Sequence, residues 1–117
     1  MLKIFAVVFA ALSLSFGTAW AHSTLQSSIP GNDTTVSEPK AVSLTFTKTV
    51  RLVTLKVVGQ GVDESLPVDR SAPAGKSFSA PLPALAPGKY EVKWTASARD
   101  GHIMKGSFSF TVAATKP

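Results

Sequence analysis

Pro87-Gly88-Lys89-Tyr90-Glu91-Val92-Lys93-Trp94-Thr95-Ala96-Ser97-Ala98 alternates without a fault after its opening turn. Tyr90, Val92, Trp94 and Ala96 fall on one side of an extended chain, and Lys89, Glu91, Lys93 and Thr95 on the other. A period of two with one apolar face is that of a half-buried β-strand, and the Pro-Gly pair before it is a turn signal. Gly106 to Val112 repeats the pattern with Phe108, Phe110 and Val112. Between the two runs lies Arg99-Asp100-Gly101-His102-Ile103-Met104-Lys105, which puts a carboxylate, an imidazole and a thioether within five residues.

The same period extends towards the amino terminus. Ala41 to Lys48 predicts a strand with Val42, Leu44 and Phe46 inward, and Leu52 to Val58 predicts another with Val53, Leu55 and Val57 inward, closed by Gly59-Gln60-Gly61. Ser77 to Leu82 offers Phe78, Ala80 and Leu82. His22 to Ile29 reads as a first strand with Leu25 and Ile29 as core candidates, ended by the turn Pro30-Gly31-Asn32-Asp33. The polar stretch Val62 to Lys76 predicts one short edge strand near Leu66 to Val68, and the tail from Ala113 is expected to fray. No segment has helical periodicity. About six or seven short strands, with turns every eight to twelve residues or so, define an all-β, immunoglobulin-like β-sandwich.

The first 21 residues stand apart from this domain. Met1-Leu2-Lys3 is a short basic start, Ile4 to Phe16 is an apolar run, and Ala19-Trp20-Ala21 is a small-x-small cleavage signal. The run is shorter than the roughly 20 residues that cross a bilayer, so residues 1–21 read as a cleaved secretory signal peptide and residues 22–117 as one exported domain that is not embedded in a membrane. The chain of 117 residues carries a formal charge of +5. Its basic residues are scattered, without the clustered, aromatic-interleaved pattern that nucleic-acid binding needs. It has no cysteine, so neither a disulfide nor thiolate chemistry is available.

The catalytic inventory is thin. Only His22 and His102 could act as a base, and no Gly-x-Ser-x-Gly, His-Glu-x-x-His or phosphate-binding loop occurs. Metal chemistry is better served. Asp100 and His102, two apart in an extended segment, are expected on one side, where an oxygen and a nitrogen could converge on an ion. Cleavage after Ala21 would expose His22 as the first residue, able to chelate through its α-amine and its Nδ1 together. His22, Asp100 and His102 would then supply three nitrogens and one oxygen, a set suited to tetragonal Cu(II), with zinc as a competitor that prefers a tetrahedron.

Several features taken in order resemble the periplasmic copper-resistance protein C family, CopC-like. They are a mature chain starting at His22, Ser28-Ile29-Pro30, Leu44-Thr45-Phe46, Pro87 to Trp94, and Asp-x-His before Gly106 to Phe110. The resemblance covers residues 22–117. It implies a Greek-key β-sandwich or barrel that binds Cu(II) through His22, Asp100 and His102 in the periplasm. It further implies a role as copper carrier or buffer without turnover, with an inner-membrane copper transport protein as partner. Two departures stand out. Thr24 occupies the place of a second histidine found in some members, and residues 59–76 contain no methionine where some members carry a methionine-rich Cu(I) loop. Met104 is then the one methionine of residues 22–117, and it reads as a packing residue of the last strand rather than a soft ligand. Two other classes fit parts of the pattern. One is a metal-free immunoglobulin-like adhesion or accessory module. The other is a copper-dependent oxidative enzyme of the polysaccharide-cleaving kind, which shares an amino-terminal histidine but would be crowded by Asp100.

Overall fold

The computed structural model describes residues 24–114. They form seven strands: β1 (Leu25–Ile29), β2 (Thr34–Val36), β3 (Ala41–Gly59), β4 (Val62–Ser65), β5 (Gly75–Pro81), β6 (Gly88–Ala98) and β7 (Ile103–Val112). No helix occurs among the described residues. The cleavage junction and the expected signal peptide lie outside them.

The expected strands at 41–48 and 52–58 are one strand of 19 residues. Thr47-Lys48-Thr49-Val50-Arg51 contains no glycine, proline, asparagine or aspartate that could turn the chain, and three of its five residues are β-branched, so the extended backbone continues. The first half of β3 pairs with β1 on one side and β5 on the other. Its second half pairs with β4 and β6, and β7 and β2 follow outward from β6. Val50 is the crossing point, opposite Gly75 in β5 and Ala98 in β6. Lys48 holds the inward phase of the alternation yet is exposed, because the strand there passes from one layer to the other and has no buried face.

A second irregularity resets the alternation. The register between β3 and β6 slips between Leu52 and Thr54, a bulge that leaves Val53 as the extra residue. Leu52 is therefore buried before the bulge, and Leu55 and Val57 after it, whereas Val53, expected in the core, is only half-buried. The Val53 carbonyl accepts a hydrogen bond from Arg70 Nε at 3.1 Å, and Arg51 Nη1 donates to the Ala72 carbonyl at 2.7 Å. These bonds hold the 66–74 loop against the bulged strand. Ser71 donates its hydroxyl and its amide to Asp69, which lowers that carboxyl below its ordinary pKa. This contribution to the loop is therefore present at neutral pH and lost only as acid protonates Asp69.

Other expectations are corrected in the same physical terms. Ile29 is 70% exposed, because it ends an edge strand, and only Leu25 of the two candidates in β1 packs on the core. The short edge strand lies at β4, ahead of the expected place, and Leu66 is inserted into the core from irregular chain directly after it. β2 was not expected: it runs parallel to the end of β7, and Ala113 is tied to it through a bond from its amide to the Val36 carbonyl at 2.8 Å. The start of the expected frayed tail is thus pinned.

The core follows the alternation in β6 and β7 closely. Tyr90, Val92, Trp94, Ala96, Phe108, Phe110 and Val112 are all buried. Tyr90 donates its hydroxyl to the Ala86 carbonyl at 2.6 Å, which ties the loop before β6 to the core. Trp94 packs against Phe46 with centroids 5.1 Å apart and rings inclined at 59°, an inter-layer contact between β6 and the first half of β3. Each large apolar side chain fully buried in this way is worth about 1.5–3 kcal/mol, which substitutes for the missing disulfide.

Trp94 also explains a glycine. Gly106 lies opposite it in the register, and a Cβ there would come within 2.4 Å of the indole Cζ2. The indole therefore lies directly over the β7 backbone. Gly106→Ala should lower stability by about 1–3 kcal/mol, the usual cost of overpacking, read as a lower urea midpoint. Trp94→Phe in the same background should recover part of that loss through a coupling of at least about 0.5 kcal/mol. Strict additivity of the two substitutions would show that the indole does not set the requirement for glycine.

Candidate metal centre

The β6–β7 connection is built by four residues. Ala98 donates its amide to the His102 carbonyl at 2.8 Å, and Gly101 donates back to the Ala98 carbonyl at 2.9 Å. Gly101 has φ 89°, a conformation side chains rarely adopt, so glycine is what closes the turn. Asp100 accepts the His102 amide on Oδ1 at 2.9 Å, the local aspartate-to-backbone bond common in turns.

Asp100 and His102 are thus neighbours, but for a different reason from the one the sequence suggested. They sit in a turn, not in an extended strand, and what holds them together is the Asp100 bond across Gly101 rather than strand alternation. Both side chains are exposed. Oδ2 of Asp100 and the His102 ring carry no hydrogen bond among the described residues. His22 lies outside the described residues, and no group of three or more His, Cys, Asp or Glu side chains that could hold an ion occurs among them. The described part of the centre is a two-donor arm.

Two contacts bring the amino-terminal end of the described chain to this arm. Thr47 donates its amide to the Thr24 carbonyl at 2.8 Å, continuing the β1–β3 pairing by one residue. Thr24 Oγ1 donates to the Met104 sulfur at 3.7 Å, across 80 residues of sequence. Met104 is half-buried and packs on the core, as a packing residue should. Sequence reasoning had no means of finding this pair, since nothing in either neighbourhood marks the other.

The described residues thus form an all-β sandwich whose Asp-x-His turn lies near the start of its first strand. Its CopC domain spans residues 25–113, and the chain belongs to the CopC family. It is 34% identical over 116 residues to copper resistance protein C of Xanthomonas campestris pv. juglandis, covering 91% of each chain. It is 31% identical over 114 residues to protein YobA of Escherichia coli strain K12, covering 92% of each. Among solved structures it resembles CopC of Methylosinus trichosporium OB3b, with a TM-score of 0.66 and 27% identity over 82% of this chain and 98% of that one. It also resembles PcoC of Escherichia coli, described as a methionine-rich copper resistance protein, with a TM-score of 0.59 and 28% identity over 78% and 98% of the two chains.

The role of Asp100 in the turn can be separated from its charge. Asp100→Ala removes the acceptor for the His102 amide and should speed hydrogen exchange there by roughly two- to tenfold, the equivalent of one ordinary hydrogen bond. Asp100→Asn keeps a side-chain oxygen and should leave that exchange near its original rate. Equal rates in all three proteins would mean that the bond does not order the turn.

Proposed function

We propose that residues 22–117, released by cleavage after Ala21, form a periplasmic Cu(II)-binding protein that carries or buffers the ion and performs no turnover. The ion is bound by the His22 amine and Nδ1, by Asp100 and by the His102 ring, and an inner-membrane copper transport protein is the recipient or donor. The observation that supports this reading is the Thr24–Met104 contact. From Thr24 back to His22 the chain has two residues, a reach of at most about 7 Å when extended. Met104 stands two residues after His102. Thr24 is anchored between Thr47 and Met104, so His22 is two residues from one partner of this contact and His102 two residues from the other, spacings that support a shared site. The names of the relatives support the choice of copper, and the donors agree with it: nitrogen-rich sets favour Cu(II) among divalent first-row metals.

The division of labour follows from the chemistry. The α-amine and Nδ1 of one histidine close a chelate ring that no internal residue can form. Asp100 contributes the single negative charge, through the oxygen that does not hold the turn. His102 completes the set from the far side of Gly101. The protein's part is to hold the turn fixed while the amino-terminal residues close on it.

Calorimetric titration of the chain beginning at His22 should show one Cu(II) per molecule. Adding one residue before His22 blocks the amine chelate and should weaken binding by about tenfold or more, equivalent to about 1.4 kcal/mol, with a changed visible spectrum. Asp100→Asn should weaken it while leaving the turn intact. No specific uptake by the correctly processed chain would sink the copper reading, and uptake indifferent to the added residue would remove the amine from the donor set.

Protons compete for the same atoms. A free α-amine ordinarily titrates near 7.7–8.0 or so and an imidazole near about 6.5, and both must be unprotonated to bind the metal. Affinity should therefore rise from pH 5 to pH 8, and the same affinity at both values would exclude the nitrogen-rich set.

A further inference from the structure

The register divides the charges of the molecule between its two ends. At the end that carries the β6–β7 turn stand Lys48, Arg51, Arg70, Lys76, Arg99 and Lys105, against only two carboxylates, Asp69 and Asp100. Towards the other end, Lys40, Lys56, Lys89 and Lys93 are outnumbered by five carboxylates. The one ion pair among the described residues, Lys56 to Asp63 at 3.1 Å, belongs to that second group. Arg51 and Arg70 at the turn end bond neutral backbone carbonyls, which order the side chains without cancelling their charge. Asp69 is occupied by Ser71, and Asp100 by the His102 amide, so neither carboxylate forms an ion pair there.

The same end carries one of the two large apolar side chains exposed among the described residues. Ile103 is 53% exposed and follows His102 directly. In the register it shares a row with Ser97 and Arg51, and Lys105 lies two residues further on the same face. A cleft lined by Thr49, Arg51, Ala74, Ser97, Arg99 and Gly101 opens beside it. The surface is an apolar point with cations around it, next to the turn.

This arrangement is a poor one for attracting a metal ion. Unpaired cations within a Debye length of about 8–10 Å repel a divalent ion as it approaches. The charge needs another partner. We infer that the end formed by Lys48, Arg51, Arg99, Ile103 and Lys105 is a docking surface for an acidic protein surface with an apolar recess for Ile103. On the copper reading, on which this proposal rests only for its purpose, docking there sets the partner's own ligands against the β6–β7 turn. Charge complementarity accelerates and orients such an encounter. An anionic bilayer fits less well. One exposed isoleucine is a weak anchor, no amphipathic helix accompanies it among the described residues, and Asp100 at the tip of the turn would face the lipid charge.

The test uses metal-free protein beginning at His22, oligo-glutamate as the probe, and vesicles of phosphatidylglycerol as the competing surface. Backbone shifts in an NMR titration with oligo-glutamate should cluster at Lys48, Arg99, Ile103 and Lys105, and binding should weaken with added salt. Reversing the charge of Lys48, Arg99 and Lys105 to glutamate should weaken binding by about tenfold, while the same change at Lys40 and Lys89 should alter it less than about twofold. Equal losses in the two variants would overturn the proposal, since net charge alone would then govern binding. Tighter binding to the vesicles, with shifts at the same residues, would also overturn it in favour of a membrane surface. Cu(II) titration of the Lys48, Arg99 and Lys105 variant separates this proposal from the copper reading. Retained or tighter copper binding with lost oligo-glutamate binding supports both. Absence of copper binding in every form, with the shift map intact, removes the copper reading alone.

Discussion

Continuity of β3 through Val50 is the constraint on which the rest depends. A sandwich has two sheets that must be held in one relative position, and immunoglobulin-like domains often secure them with a disulfide. With no cysteine in the chain, no disulfide joins the sheets, and β3 is the strand that runs through both. β1 and β5 pair with its first half and β4 and β6 with its second, so every layer takes its register from this one strand. Phe46 and Trp94 then close the gap between the layers beside the crossing. The candidate site benefits directly. Val50 pairs with Ala98, the last residue of β6 before the β6–β7 connection, and Thr47 pairs with Thr24 three residues before the crossing. Both arms of the site are attached to the corner where the fold is most thoroughly tied.

Period-two alternation was a sufficient guide wherever a strand keeps one face in the core throughout. β6 and β7 are such strands, and their buried residues are those the sequence marks. Alternation fails where a strand changes partners. Lys48 interrupts the apolar series and reads as a strand end, although the hydrogen bonding continues on both sides of the crossing. The bulge at Val53 changes which residues point inward without leaving a trace in composition. Ile29 shows the converse: an apolar residue in the correct phase remains exposed because its strand lies at an edge and ends there. β2 has three residues and one apolar side chain, too little for any periodic signal, and its partner in β7 is more than 70 residues away.

The candidate site was legible in its residue types and not in its geometry. Asp100, Gly101 and His102 are identified by sequence, but the bond from the His102 amide to Asp100 belongs to a turn, where alternation has no meaning. One consequence is that one carboxylate oxygen is already committed, which leaves the other for a ligand. The Thr24–Met104 contact was hidden because long-range side-chain pairs leave no local pattern. It gives Thr24 a structural use, since its hydroxyl donates to the thioether of Met104.

The excess of cations around the turn also bears on which ions the proposed donor set can admit. Calcium and magnesium are hard ions that need several oxygen ligands, commonly carboxylates. They would meet one available carboxylate in a repulsive field and gain little from imidazole. Cu(II) forms strong bonds to nitrogen, and those bonds can offset a field that falls off through screening solvent. A basic end is thus compatible with a copper site built on an amine and two imidazoles, and hostile to one that relied on charge. On the proposed reading, an acidic partner offsets that repulsion, because its charge is complementary both to the surface and to the metal. Docking and ion binding would then favour each other through one electrostatic asymmetry, and release would have to come from ligands the partner supplies.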